Sequence, residues 1–140
     1  MNHINSQSHP LFFTAIKLNA GFSIICAGFM LIFSKDISCL LGADVKTELL
    51  IIGGFLLLFG GWLSYLIQTD KVKRTDAWMI VAGDVAWVVY TEILVLFYAT
   101  FFSFPGLLLI GMTSLVVGIF TILQSVSLFR ESKTGGPAIN

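Results

Sequence analysis

The chain has 140 residues, 56% of them apolar, and its 8 basic residues balance its 8 acidic ones. The mean hydropathy is +0.91, whereas a soluble domain of this length needs far more polar surface to stay in solution. The composition therefore excludes a soluble globular protein, and the balanced charge with few basic residues gives no support to nucleic-acid binding.

Four apolar windows of about 20 residues follow one another, and each has the length that crosses a bilayer as a helix. These spans 1 to 4 are predicted at residues 11–33, 49–68, 77–102 and 104–129. Because little of the chain lies outside them, we expect one all-α domain at 11–129, a polytopic four-transmembrane-helix bundle in a lipid bilayer. Residues 1–10 are predicted as an N-terminal cytoplasmic segment and 130–140 as a disordered cytoplasmic tail.

Span 1 is predicted to be a mature transmembrane helix and not a cleaved signal peptide. The segment before it, "MNHINSQSHP", carries no Lys or Arg, the apolar run is too long, and no small-residue cleavage site follows. The connection to span 2 is the longest one. Its "ISCLLG" is expected to lie in the outer interface as a short helical turn that ends at Gly42.

The basic residues predict the orientation of the spans. The connection between spans 2 and 3 carries Lys71, Lys73 and Arg74, and the tail carries Arg130 and Lys133. The other connections carry no such excess of basic residues. Because basic loops stay in the cytoplasm, we expect a multi-pass protein of the cell membrane with both termini cytoplasmic.

Glycines spaced seven residues apart predict where the helices meet. Each pair lies on one helical face, and small residues allow close backbone approach, which drives helix association in lipid. The candidate packing residues are Gly53, Gly60, Gly111 and Gly118.

A weak internal similarity also relates "LLIIGGFLLLFGGW" in span 2 to "GLLLIGMTSLVVGIF" in span 4. It is typical either of two parallel helical hairpin repeats or of a chance match between apolar segments, and both explanations stay open.

Two carboxylates lie inside span 3, in the stretch "GDVAWVVYTE". If the span is centred near residue 90, Asp84 lies about 9 Å and Glu92 about 3 Å from the midplane, at 1.5 Å per residue. Both are then inside the hydrocarbon, whose half-thickness is about 15 Å. Acids at that depth normally face the bundle interior and are either paired or protonated.

Span 1 offers a partner for Asp84. Lys17 lies about 7–8 Å from the midplane on the same side, which is nearly the depth of Asp84. The favoured interpretation is a structural ion pair that fixes helix register, with Asn19 adding an amide hydrogen bond. In the alternative, Lys17 extends to lipid phosphate.

Glu92 has no basic residue at its depth, so we expect the neutral acid. Asp84, Trp87, Thr91 and Tyr98 lie within about 60° of one another on the helix, with Glu92 displaced by about 80° from Asp84. This polar-aromatic stripe could line a small cavity for protons or a cationic solute, with Glu92 at its margin.

A structural role for Glu92 is equally open. In that interpretation, the protonated acid is hydrogen-bonded to a backbone carbonyl, to Ser23 or to Ser114.

Several chemistries find no support in the sequence. His3 and His9 precede span 1, so no buried imidazole pair is available for haem. Cys26 and Cys39 form neither a CxxC centre nor a zinc site. No phosphate loop, nucleophile elbow or metalloprotease motif occurs. We therefore predict no cofactor, no metal and no catalytic residue, and an enzyme is the least favoured class.

The four-span layout and the "GDVAWV" opening of span 3 resemble small bacterial integral membrane proteins whose families are uncharacterised. That resemblance implies no particular activity. The small multidrug-resistance transporters share the size and the four spans, but their coupling Glu lies in the first span. Here span 1 carries Lys17 and Asn19 and no acid.

Two functions of different class remain. The first, which the sequence favours, is a non-catalytic bundle that acts as an accessory subunit or homo-oligomer, its partner being a second copy or another membrane protein. The second is a proton-coupled small-solute transporter or channel that uses the buried Glu92 and Asp84.

Overall fold

The chain forms a bundle of helices with one pair of very short strands. The computed structural model describes residues 3–4, 6–7, 9–70 and 72–134. Its elements are β1 (His3–Ile4), α1 (Pro10–Ile32), α2 (Ser34–Leu41), α3 (Lys46–Thr69), β2 (Val72–Lys73), α4 (Arg74–Phe97), a 3-10 helix (Ala99–Phe101) and α5 (Phe104–Thr134).

Four of these helices, α1, α3, α4 and α5, are long and apolar enough to cross a membrane. This confirms the predicted all-α, four-helix membrane fold. The helix ends differ from the predicted spans at two places. First, α4 ends at Phe97 rather than at residue 102, because the chain turns into the 3-10 helix. Second, α5 continues to Thr134, into the segment predicted as disordered, whereas residues 135–140 lie outside the described part of the chain.

The helices pack as two hairpins. α1 packs on α3, α4 packs on α5, and α1 also contacts α5, whereas the backbones of α3 and α4 come close at almost no point. Their side chains still meet, since Phe59 of α3 lies beside Gly83 of α4. α1 and α5 therefore connect the two hairpins, and the backbones of α3 and α4 lie apart from each other. The origin of the two hairpins by duplication stays a prediction.

The contact between α1 and α3 depends on glycine. A Cβ atom at Gly60 would lie 2.7 Å from Ile24 Cγ1 and 3.3 Å from the carbonyl oxygen of Ala20, so only glycine fits without a shift. Gly53 likewise faces α1, where a Cβ would lie 3.1 Å from Met30 Cβ. Such close approach through small residues is what holds helices together in lipid.

The second pair of candidate packing glycines behaves differently. An added Cβ at Gly111 or Gly118 of α5 would meet no atom within 4 Å. At these two positions the close helix contact that the sequence predicts is therefore not formed within this chain.

One end of the bundle, here called the strand end, is closed by the β1–β2 pair. His3 lies opposite Lys73 and Ile4 opposite Val72 in antiparallel register. Ile4 and Val72 are buried and join the main apolar core, which also includes Phe12, Phe13, Ile16, Leu63, Leu66, Ala77, Ile80 and Leu128. Ile4, in the segment predicted only as a cytoplasmic extension, is thus part of the core.

The opposite end, here called the α2 end, carries the short helix that the sequence places before Gly42. Gly42 ends α2 with a φ of +72°, a conformation that favours glycine. A Cβ there would also lie 3.0 Å from Ser103 Cβ. The backbone N–H of Ser103 donates to the carbonyl oxygen of Leu41 at 2.7 Å, which ties α2 to the start of α5.

Candidate functional site

The centre of the site is the carboxylate of Asp84, which is 3% exposed on α4. Its Oδ2 accepts a hydrogen bond from Asn19 Nδ2 of α1 at 2.7 Å and another from Gln124 Nε2 of α5 at 3.1 Å. Ser23 Oγ donates to Asn19 Oδ1 at 3.4 Å and extends the network along α1. One oxygen of the acid therefore joins three helices.

The two oxygens of Asp84 have different surroundings. Oδ2 takes both amide donors, whereas Oδ1 receives no hydrogen bond from the described part of the chain. The amides are neutral, and no salt bridge to Asp84 forms among the described residues. The site therefore supplies hydrogen bonds to the acid but no compensating positive charge. Gln124 Oε1 is also buried without a hydrogen-bond partner.

Lys17 does not form the ion pair that the sequence predicts. Its side chain is exposed, and Asn19 takes the place next to Asp84. The reason is rotational: two residues along a helix are about 200° apart, so Lys17 and Asn19 cannot face the same neighbour. The prediction matched the depth of Lys17 and not its direction.

Gln124 is a residue of the candidate site that the sequence does not predict. It is fully buried in α5, in the stretch "FTILQSVSLF". A signal was available, because Gln124 lies about 11 Å from the centre of its span at 1.5 Å per residue, close to the depth of Asp84. Matching uncharged polar residues by depth across spans would have found it.

A cavity of about 290 Å³ adjoins Asp84 between α1, α3, α4 and α5. Its polar end is formed by Asp84, Asn19 and Ser23. The other lining residues are mostly apolar and come from all four helices: Phe22, Cys26, Met30, Ile52, Phe55, Leu56, Phe59, Gly83, Trp87, Thr113 and Val117.

A second cavity of about 420 Å³ continues toward the α2 end. The two cavities share the lining residues Cys26, Met30, Ile52, Trp87 and Thr113, so they adjoin. We call them together the groove. It runs between α3 and α4, from Asp84 at the polar end to α2 and Glu48 at the other.

The predicted stripe on α4 lines this groove in part. Asp84 and Trp87 border the first cavity, and Trp87 and Thr91 border the second. The hydroxyl of Thr91 donates to backbone carbonyls of its own helix, at Trp87 and Val88. Tyr98 lines neither cavity and is 50% exposed.

Trp87 lacks the hydrogen-bond partner that its indole requires. Its Nε1 is buried, and no described residue accepts its hydrogen. Asp84, one turn earlier on the same helix, uses its Oδ2 for the two amides instead. Trp87 therefore keeps a buried, unpaired donor beside the groove, and Asp84 keeps one carboxylate oxygen free to accept.

Glu92 lies outside the groove. Its side chain is exposed on the bundle surface, and its Oε1 accepts a hydrogen bond from Ser114 Oγ of α5 at 3.1 Å. The Ser114 contact is one of the structural alternatives that the sequence left open. The displacement of about 80° from Asp84 turns Glu92 out of the groove.

No group of three His, Cys, Asp or Glu side chains is placed to hold a metal ion within the described ranges. The chain matches no protein-family model, no curated protein and no solved structure. The resemblance to small four-span bacterial membrane proteins thus stays an expectation from sequence, and a function has to be argued from the groove itself.

Proposed function

We propose that this small membrane protein is a carrier or channel whose groove binds a small organic cation or a proton at Asp84. The observation that carries the proposal is the position of this acid. Asp84 is buried within a membrane-spanning helix and borders a cavity with one oxygen unbonded. In the transport hypothesis, Asp84 therefore takes the role that the sequence assigned chiefly to Glu92.

The energetics favour a ligand-binding role for Asp84. A charged carboxylate near the centre of a bilayer costs roughly 2.5–3.5 kcal/mol on insertion scales, so it is kept where it pairs or functions. An acid kept only for structure gains most when all its lone pairs are satisfied. Asp84 instead directs its hydrogen bonds to one oxygen and leaves the other for a cation or a proton.

A second function, association, is favoured by a different residue. Glu92 is exposed, and it lies about 10 Å from the centre of α4 at 1.5 Å per residue, still within the hydrocarbon half-thickness of about 15 Å. Ser114 supplies one hydrogen bond, and lipid supplies none to the remaining oxygen. A second copy or another membrane protein would cover this surface, as expected of a non-catalytic accessory subunit or homo-oligomer.

Reconstitution in liposomes tests the first function. We expect saturable uptake of ethylammonium or benzylammonium, driven by an imposed proton gradient, that is lost in Asp84→Asn. The Asn variant nearly preserves shape, and Gln124 can turn its amide to accept from the new N–H group. Glu92→Gln serves as the matched control and should transport like wild type. Equal uptake by wild type and Asp84→Asn would refute the proposal.

Crosslinking in mild detergent tests the second function. If Glu92 lies in an interface, single cysteines beside it should give crosslinked dimers or a crosslinked partner. Exclusively monomeric protein in both detergent and lipid would refute association.

We also propose that the strand end and both termini face the cytoplasm, as the basic residues predict. Cys39 on α2 is exposed and offers a native label. A membrane-impermeant thiol reagent added outside intact cells should modify Cys39. It should not modify a cysteine placed at the exposed Thr75, at the start of α4. The opposite pattern would reverse the orientation.

A further inference from the structure

We infer that the ligand of the groove is a single-chain lipophilic amine, bound with its ammonium head at Asp84 and its hydrocarbon chain along the groove. It would enter sideways from the bilayer, between α3 and α4. This inference rests on the proposed function, in which Asp84 binds a cation, and it adds the chemical class and the route.

The polar end of the groove suits an ammonium head. Asp84 offers a free acceptor oxygen, and Ser23 adds a hydroxyl oxygen that can accept. The half-buried ring of Trp87 lines the same cavity one helical turn away, and indole faces attract cations. An alkylammonium ion supplies both the charge and the donors that Asp84 lacks.

The charge of the lining selects cations over anions. The groove has Asp84 at one end and Glu48 at the other, and no Lys or Arg of the described part of the chain lines either cavity. A carboxylate or sulfate head would meet only acidic residues, at a depth where the low dielectric strengthens repulsion. A neutral head would leave the charge of Asp84 uncompensated.

The remainder of the groove suits a hydrocarbon chain. Along α4 its lining residues extend from Gly83 to Leu94, which corresponds to about 16 Å at 1.5 Å per residue. An extended chain advances about 1.25 Å per carbon, given bonds of about 1.5 Å at near-tetrahedral angles. The groove therefore accommodates about 12 carbons between Asp84 and the α2 end.

The separation of α3 and α4 indicates the route by which the ligand enters the groove. Beyond the contact of Phe59 with Gly83 the backbones of α3 and α4 lie apart, and the groove side chains Phe55 and Tyr90 are 69% and 46% exposed on these two helices. The strand end is closed by the packed core and the β1–β2 pair. A chain that partitions into the bilayer thus reaches the groove from the side, without crossing the core.

Quenching of Trp87 fluorescence tests the class of ligand. In a Trp62→Phe, Trp78→Phe background reconstituted in nanodiscs, 11-bromoundecylamine should quench Trp87 saturably. Asp84→Asn should weaken this binding at least tenfold. The matched alcohol and carboxylic acid of the same chain should not saturate. Equal binding of amine, alcohol and acid would overturn the inference, because the groove would then be a nonspecific lipid site.

A second measurement tests the chain. Thr113 lies where the two cavities join, so Thr113→Phe should shorten the groove. We expect it to weaken the undecylamine at least tenfold and to leave hexylamine nearly unchanged. Leu115→Phe, at a 66% exposed position on the same helix, is the control and should change neither. Equal losses for both amines would refute the assignment of the chain to the groove.

The short amines separate the two proposals. If benzylammonium binds in an Asp84-dependent manner and the bromoundecylamine does not, the proposed function stands and this inference fails. If no amine depends on Asp84 and proton flux into the liposomes is also the same in Asp84→Asn, both fail.

Discussion

The two ends of the bundle have the same apolar composition and different packing. At the strand end, Phe12, Leu63 and Ile80 are fully buried, and the β1–β2 pair closes the core. Toward the α2 end, the same helices enclose two adjoining cavities, and α3 and α4 stand apart. Hydrophobicity alone therefore does not decide where a membrane bundle is closed.

The difference has a physical reason. Lipid tails are as apolar as leucine, so exposing an apolar side chain to them costs little, and close packing arises only where the backbones can approach. Gly60 and Gly53 provide that approach between α1 and α3. Among the described residues no glycine of α3 or α4 approaches the backbone of the other helix in this way, so a groove can remain open between them.

The largest expected effect tests the packing of the strand end. Gly60→Leu places a side chain where even a Cβ would lie 2.7 Å from Ile24, so α1 and α3 must separate. We expect a loss of about 3 kcal/mol in the free energy of unfolding, the upper part of the range for overpacking. Gly61→Leu is the control, because a Cβ there meets no atom within 4 Å. Unfolding by SDS in mixed micelles measures both, and equal losses would show that the contact does not hold the end together.

The next effect tests the hydrogen bonds of Asp84, which lies between the packed strand end and the groove. Asp84→Leu leaves the amides of Asn19 and Gln124 buried without their acceptor, and each such group costs about 1–3 kcal/mol. We expect a loss of about 2 kcal/mol in the same unfolding assay. The triple change with Asn19→Leu and Gln124→Leu should recover most of it. A triple variant less stable than Asp84→Leu would mean that the polar groups are not paired with each other.

A smaller effect distinguishes the amide contact from the ion pair expected from sequence. A double-mutant cycle between Asn19→Leu and Asp84→Leu should give a coupling energy of about 1 kcal/mol, as for residues in contact. The cycle between Lys17→Met and Asp84→Leu should give less than about 0.5 kcal/mol. A larger coupling for Lys17 would restore the ion pair.

These three tests also mark what the sequence can establish. Window length and hydropathy are enough for the four spans, because a bilayer demands a fixed length of apolar helix. The helical wheel places Asp84 and Trp87 on one face, and both line the groove.

The partners of Asp84 were harder to predict. The depth of a residue in the membrane can be counted from the sequence, but the direction in which a helix faces its neighbours cannot. The sequence therefore favours Lys17 over Asn19 as the partner of Asp84. Gln124 is uncharged, so a search for charged residues inside the spans does not find it. The strands β1 and β2 have two residues each, too few for any periodicity.

The smallest expected effect tests the groove. Phe55 lines the groove and is 69% exposed, so Phe55→Ala should change the free energy of unfolding by less than about 0.5 kcal/mol. Leu63→Ala, at a fully buried position of the same helix, should lose about 2 kcal/mol through the cavity that it leaves. A loss at Phe55 as large as that at Leu63 would mean that the groove is closed.

The β1–β2 pair has a consequence for the order of assembly. Ile4 leaves the ribosome early, but its partner Val72 follows about 70 residues later, which takes roughly 4 to 14 s at 5–20 residues per second. The closure of the strand end is therefore a late, long-range event that waits for the first turn of α4. A bulky tag fused to the N-terminus would travel with β1 and hinder that closure, whereas a tag after α5 would leave it free.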